Sequence, residues 1–143
     1  MPSHRLHDGA VHLQRRHHLR QLLARTATCM SNPSKAKGSR WETAVAKYLR
    51  DHGWPEAFRL APAGEADCGD IGGVSGWAFE CRDRAKHDLS KNVRDANARA
   101  INKGAKFGCA VMKKREHSVE DAYVVMDLKM FVRVLNELAG ITD

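Results

Sequence analysis

Residues 69–84 read GDIGGVSGWAFECRDR, and the fold turns on how this stretch is paired. Two short strand candidates, residues 68–72 and 76–82, flank a Gly/Ser turn, which is the pattern of a β-hairpin. Asp70 precedes the glycines, and Glu80 stands inside the otherwise apolar run Trp77-Ala78-Phe79-Glu80-Cys81. A carboxylate in such a strand is unfavourable unless a positive charge lies beside it. If the turn spans Gly73 to Trp77, Asp70 is opposite Glu80; a tighter turn sets them diagonally. Registers that keep residue parity bring both acids out on one face. Glu80 and Arg82, two apart on one strand, share that face as well. Two anionic oxygen ligands with a cation beside them suit a hard divalent ion such as Mg²⁺, which takes one or two carboxylates, waters and phosphate oxygens.

Outward from the hairpin, the periodicity alternates between helix and strand. Upstream, Trp41, Val45, Tyr48 and Leu49 recur at helical spacing from Ser39, and Asp51-His52-Gly53 supplies a stop. Residues 57–60 form a short strand candidate before a Pro/Gly loop. Downstream, residues 88–102 are polar and helical, with Leu89, Val93, Ala96, Ala100 and Ile101 on one side and Gly104 at the end. Residues 107–112 are a nearly continuous apolar run, hence a buried strand, and residues 122–126 are another. Asp127 caps a last helix, with Leu128, Phe131, Val132, Leu135 and Leu138 expected to face inward and Gly140 beyond it. The order α-β-β-β-α-β-β-α defines an α/β domain, a mixed sheet flanked by helices.

A chain of 143 residues with 43% hydrophobic and 29% charged residues is one soluble globular domain with little room for a second. No apolar run reaches the roughly 20 residues of a membrane helix, and the N-terminus lacks the apolar stretch of a secretory signal. Four cysteines without a Cys-x-x-Cys pair suit a reducing, cytoplasmic setting. The formal charge of +7 points to a polyanion, nucleic acid before membrane. Five arginines and Asp8 put +4 of that charge in residues 1–29. Residues 1–33 read as a basic, His-rich arm, with residues 34–143 as the domain. Met30 opens Met-Ser-Asn-Pro-Ser-Lys, the expected natural start, which would make the first 29 residues an over-extension. Lys35, Lys37 and Arg40 before the first helix, and Lys113-Lys114-Arg115 after the buried strand, suit DNA phosphate contacts that do not read sequence. Each group can equally be a solvated cluster.

Lys37-Gly38-Ser39-Arg40-Trp41-Glu42, then Gly69-Asp70-Ile71, then Glu80-Cys81-Arg82 resembles the PD-(D/E)xK nuclease superfamily. More narrowly, the set is similar to the Holliday junction resolvases of archaea and of phages infecting actinobacteria. The likeness runs from about Ser34 to the last helix. It implies a restriction-endonuclease-like fold, Mg²⁺ or Mn²⁺ with no small-molecule cofactor, a homodimer, and paired nicks in a four-way DNA junction. It also implies that Glu42, Asp70 and Glu80 are metal ligands, that the Cys81 carbonyl can join them, and that Arg82 stands where the family has lysine. Ala63 before Gly64 departs from a serine common in relatives.

Arg82 is the larger departure. Arginine stays protonated, so it cannot act as a general base, but it can clamp a phosphate with two donors. Three outcomes stay open: slower but real catalysis, a lysine recruited from elsewhere (Lys86 or Lys113), or a non-cleaving DNA-binding module. A nuclease for linear or restriction-site DNA shares the same metal site. Read singly, Asp70 can shape a turn, Glu80 can pair with Arg82 or Arg84, and Glu42 can be a solvated helix charge. Asp67 reads first as a loop cap and second as a further metal ligand, and His87 first as an exposed residue and second as a proton shuttle. The last helix, with Phe131 and Val132, is either core or a dimer interface.

Overall fold

The computed structural model describes residues 32–142, so the His-rich tract and the proposed start at Met30 lie outside the described residues. A compact unit runs from Lys37 to Asp143. The first helix, α1 (Pro33–Asp51), begins six residues before the Ser39 expected from periodicity. The reason is local: the Asn32 side-chain oxygen accepts from the Ser34 N–H at 3.0 Å, and Pro33 occupies the first helical position, where its missing N–H is no loss. Trp41, Val45 and Ala46 are its buried residues, and the Trp41 indole N–H donates to the Val111 carbonyl at 3.1 Å. That bond fixes α1 against the central strand.

The strands are β1 (Phe58–Arg59), β2 (Ile71–Gly72), β3 (Trp77–Arg82), β4 (Phe107–Met112) and β5 (Tyr123–Val125), with α2 (Leu89–Lys103) before β4 and α3 (Leu128–Ala139) last. Element order is therefore the expected α-β-β-β-α-β-β-α, in a mixed α/β arrangement. Strands β3 and β4 run parallel through α2, and β5 adds antiparallel to β4. All six residues of β4 are buried, which explains why a central strand covered on both faces reads as an unbroken apolar run. The core packs Trp41 and Val45 against Ile71, Val74, Phe79, Cys81, Cys109 and Val111. No helix among the described residues is long and apolar enough to cross a membrane.

The hairpin at 68–82 departs from expectation. β2 pairs antiparallel with β1, Phe58 opposite Gly72 and Arg59 opposite Ile71, forming a separate two-stranded sheet. Between β2 and β3 one backbone bond remains, from the Asp70 N–H to the Phe79 carbonyl at 2.7 Å. The Asp70 carbonyl is taken by the Leu60 N–H at 2.8 Å, so it cannot continue a ladder with β3. Gly69 lets the chain make this turn: its φ is +97°, and a Cβ there would meet the Phe79 carbonyl oxygen at 2.7 Å.

Two expected inward faces are corrected. In α2 the buried positions are Asn92, Ala96 and Ala100, while Leu89 and Ile101 are exposed. Small residues prevail because the helix lies close on the sheet: a Cβ on Gly108 of β4 would come within 2.6 Å of the Ala96 carbonyl oxygen. In α3 only Met130 is buried. Leu128 and Leu138 are 76% and 80% exposed, and Phe131, Val132 and Leu135 are each more than two-fifths exposed. Periodicity identifies an apolar stripe, but the domain's sheet ends at the three-residue β5, too short to cover it.

Candidate functional site

Asp70 sits at the open edge of β3. Its Oδ2 accepts from the Cys81 N–H at 2.6 Å, taking the donor that a longer β2 would have bonded through its backbone. Burial, and after it the neighbouring charges of Glu80 and Glu42, together push the Asp70 carboxyl up to about 7 against the opposing Cys81 bond and Arg82. The charges of Glu42 on α1 and Glu80 on β3 are thus both felt at Asp70.

Glu80 lies on the opposite parity from Phe79 and Cys81, under α2, and is 3% exposed. Burial raises its pKa, and the charges of Arg82 and Arg99 oppose that. Arg82 Nη2 forms an ion pair with Glu80 Oε1 and also reaches Asp95 Oδ2 at 3.1 Å. Its Nη1 donates to the Cys81 carbonyl at 3.1 Å. Burial alone would lower the Arg82 pKa, but Glu80 and Asp95 outweigh it and leave it raised. The guanidinium is thus held by protein acceptors on both terminal nitrogens. On the far side, Arg99 Nε lies 3.3 Å from Glu80 Oε2 and 3.0 Å from Asp67 Oδ2. These are ion pairs without hydrogen-bond alignment, since both Glu80 Oε2 and Arg99 Nε are buried with no hydrogen bond. Asp67, expected as a loop cap, does accept from the Gly69 N–H at 2.9 Å while also holding Arg99.

Glu42 faces a third arginine. Arg59 Nε donates to Glu42 Oε2 at 2.5 Å, and Arg59 Nη2 to the Ser39 hydroxyl at 2.9 Å. A divalent cation finds the right chemistry here, hard carboxylate and carbonyl oxygens, and at Asp70 a negative charge whose acid neighbours outnumber its single cationic one. Yet among the described residues no three His, Cys, Asp or Glu side chains form a group able to hold a metal ion. Donor type at Asp70 suits a cation, but Glu42 is paired with Arg59 and Glu80 with Arg82 and Arg99, so the three acids do not form a ligand set as they stand.

The two basic groups are brought together by an acid between them. Asp83, next to Arg82, receives Lys37 Nζ at 3.2 Å and Lys113 Nζ at 3.5 Å, and the Lys113 ammonium also lies 5.7 Å from the Trp41 ring centroid. Lys35, Arg40 and Arg115 are exposed, and Lys114 is half-buried. Lys86 is exposed, while His87, expected to be exposed, is half-buried with Nδ1 lacking a partner among the described residues. The thiols of Cys68, Cys81 and Cys109 are free, and burial pushes Cys109 up to about 12, an inert state.

Three site residues escaped the sequence reading: Arg59, Asp95 and Arg99. The last two carried a signal. Lys91, Asp95 and Arg99 stand four apart, an alternating charge stripe beside the buried Asn92, Ala96 and Ala100, and Lys91 Nζ does reach Asp95 at 2.6 Å. Arg59 lies in a two-residue strand with no local pattern to mark it. No protein-family model, curated protein or solved structure matches the chain.

Proposed function

We propose that this chain is a divalent-cation-dependent endodeoxyribonuclease of the restriction-endonuclease-like fold, acting on branched DNA, with the four-way junction as its substrate and a homodimer as its working form. The observation that carries it is Asp70: a carboxylate pushed up to about 7 by burial and by Glu80 and Glu42, at a strand edge beside Arg82. Buried acids with raised pKa, here Asp70 and Glu80, mark a candidate functional site, and carboxylates are the ligands that Mg²⁺ or Mn²⁺ takes. Asp70, Glu80, Glu42 and the Cys81 carbonyl are the groups that would hold the ion. When bound, the ion supplies Lewis acidity toward a phosphate oxygen and acidifies a water. Arg82, fixed by Glu80 and Asp95, keeps positive charge beside the acids at every working pH. Lys35, Lys37, Arg40, Lys113, Lys114 and Arg115 would hold the DNA backbone on this side.

A labelled four-way junction incubated with Mg²⁺ tests this. Paired nicks that vanish with EDTA, and fall at least a hundredfold in Asp70→Asn, are expected. Arg82 as an ion-pair partner of Glu80, and the lack of a three-acid group among the described residues, favour one alternative, a non-cleaving DNA-binding module. Tight junction binding without product in Mg²⁺ or Mn²⁺ would select it.

A further inference from the structure

We infer that Arg99 is a phosphate-binding residue of this site, with its Nε anchored on Glu80 and Asp67 and its two terminal amines open to a phosphodiester oxygen of a nucleic-acid backbone. The inference rests on the nucleic-acid reading proposed above and adds to it a ligand-contacting residue from α2, whose Asp95 otherwise only holds Arg82. Three observations carry it. Arg99 Nε is buried, 3.3 Å from Glu80 and 3.0 Å from Asp67 without a hydrogen bond to either, so the inner end of the guanidinium is set by charge between two acids from different segments. The side chain is nevertheless 24% exposed, its closest approach to each acid is through Nε, and among the described residues neither Nη makes a hydrogen bond. Arg82 differs: both of its terminal nitrogens are already taken by Glu80, Asp95 and the Cys81 carbonyl.

The consequence is a division of labour between two arginines on one carboxylate. Arg82 neutralises Glu80 and is saturated by the protein. Arg99 neutralises the other oxygen of Glu80 and keeps its outer edge for a ligand. A guanidinium presents its donors in a fixed planar fork that matches a phosphate. Anchoring Nε fixes the fork before the ligand arrives, so little side-chain freedom is lost on binding. Lysine could not replace this geometry, because its ammonium has no planar pair of donors set apart from the nitrogen that faces the acids.

The test is binding, not cleavage. Affinity of the full chain for a fluorescent four-way junction is measured in EDTA across a salt series. Arg99→Gln is expected to bind about tenfold more weakly, with the slope of log K against log salt shallower by about 1, the loss of one phosphate contact. The double variant Arg99→Gln/Asp67→Asn restores the net charge and should not recover either quantity. Full recovery would show that only the field of Arg99 mattered, and would overturn the assignment. A wild-type slope in Arg99→Gln overturns it too, while leaving the nuclease proposal intact. Failure of the wild-type chain to bind the junction at any salt overturns both. Should Arg99→Gln not fold, the ¹H–¹⁵N signals of the Arg99 terminal amines in the wild-type chain decide: shifts on adding the junction are expected, and unmoved signals sink the assignment.

Discussion

Asp70 has opposite consequences for stability and for function. Its carboxyl is raised from 3.8 to about 7, so between those values the folded chain keeps a proton that the unfolded chain has released. Stability from this group is complete below about pH 4 and declines as pH rises through about 7, because the folded state must then hold an unfavourable charge. Asn in its place retains the acceptor for the Cys81 N–H and removes the charge. Asp70→Asn is therefore expected to match the wild type at pH 4 and to be more stable at pH 8, by on the order of a few kcal/mol given ~1.4 kcal/mol per pKa unit. Urea unfolding across pH checks this, and parallel profiles would contradict it. The same group is the one whose loss should abolish cleavage, the trade-off expected where a site stores unfavourable charge. The pairing of Glu80 with Arg82 is legible in the sequence because alternation along one strand puts both on one face, whereas the placement of Asp70 depends on a strand pairing that the sequence does not fix. The more distant arginine partners were not legible, since Arg59 and Arg99 lie 17 and 19 residues from the acids they meet, and only folding closes those gaps.

Among the elements, the close seat of α2 on β4 organises the site, since Asp95 and Arg99 reach Arg82 and Glu80 only from a helix pressed onto the sheet. Gly108 sets that distance, facing the Ala96 carbonyl and the Ala100 methyl. Gly108→Ala is expected to destabilise by ~1–3 kcal/mol, the usual overpacking penalty, measured as a lower urea midpoint at unchanged m-value. A wild-type midpoint would mean the helix shifts freely. The caps of α2 and α3 follow from the sequence directly: the Asp88 side chain accepts from the Lys91 N–H and the Asp127 side chain from the Met130 N–H, and Gly104 and Gly140 adopt the left-handed conformation past the ends. Pro33 and Asn32 were equally local signals. The hairpin was misjudged because a Gly-rich turn marks where a chain bends, not which strand receives the carbonyls beyond it.

For the molecule as a whole, the apolar stripe of α3 is exposed, as are Tyr123 and Val124 of β5. Exposed apolar side chains at i, i+3, i+4 and i+7 form a continuous seam, larger than solitary surface leucines. A second copy of the chain is the proposed cover, consistent with two cuts in one junction. Phe131→Glu/Leu135→Glu is expected to sediment as monomer where the wild type is dimer, with the melting temperature of dilute samples little changed because both residues are already exposed. A wild-type monomer in sedimentation equilibrium at tens of micromolar would dismiss that interface. The sequence by itself determined the element order, the caps of the last two helices and the buried central strand, because each depends on periodicity or on residues a few positions apart. Only the tertiary structure decided that β2 pairs with β1, that α3 turns its apolar stripe outward, and that Glu80 is held between two arginines. Those outcomes depend on which distant surfaces compete for the same carbonyls, apolar faces and charges, and that competition is settled when the chain closes on itself.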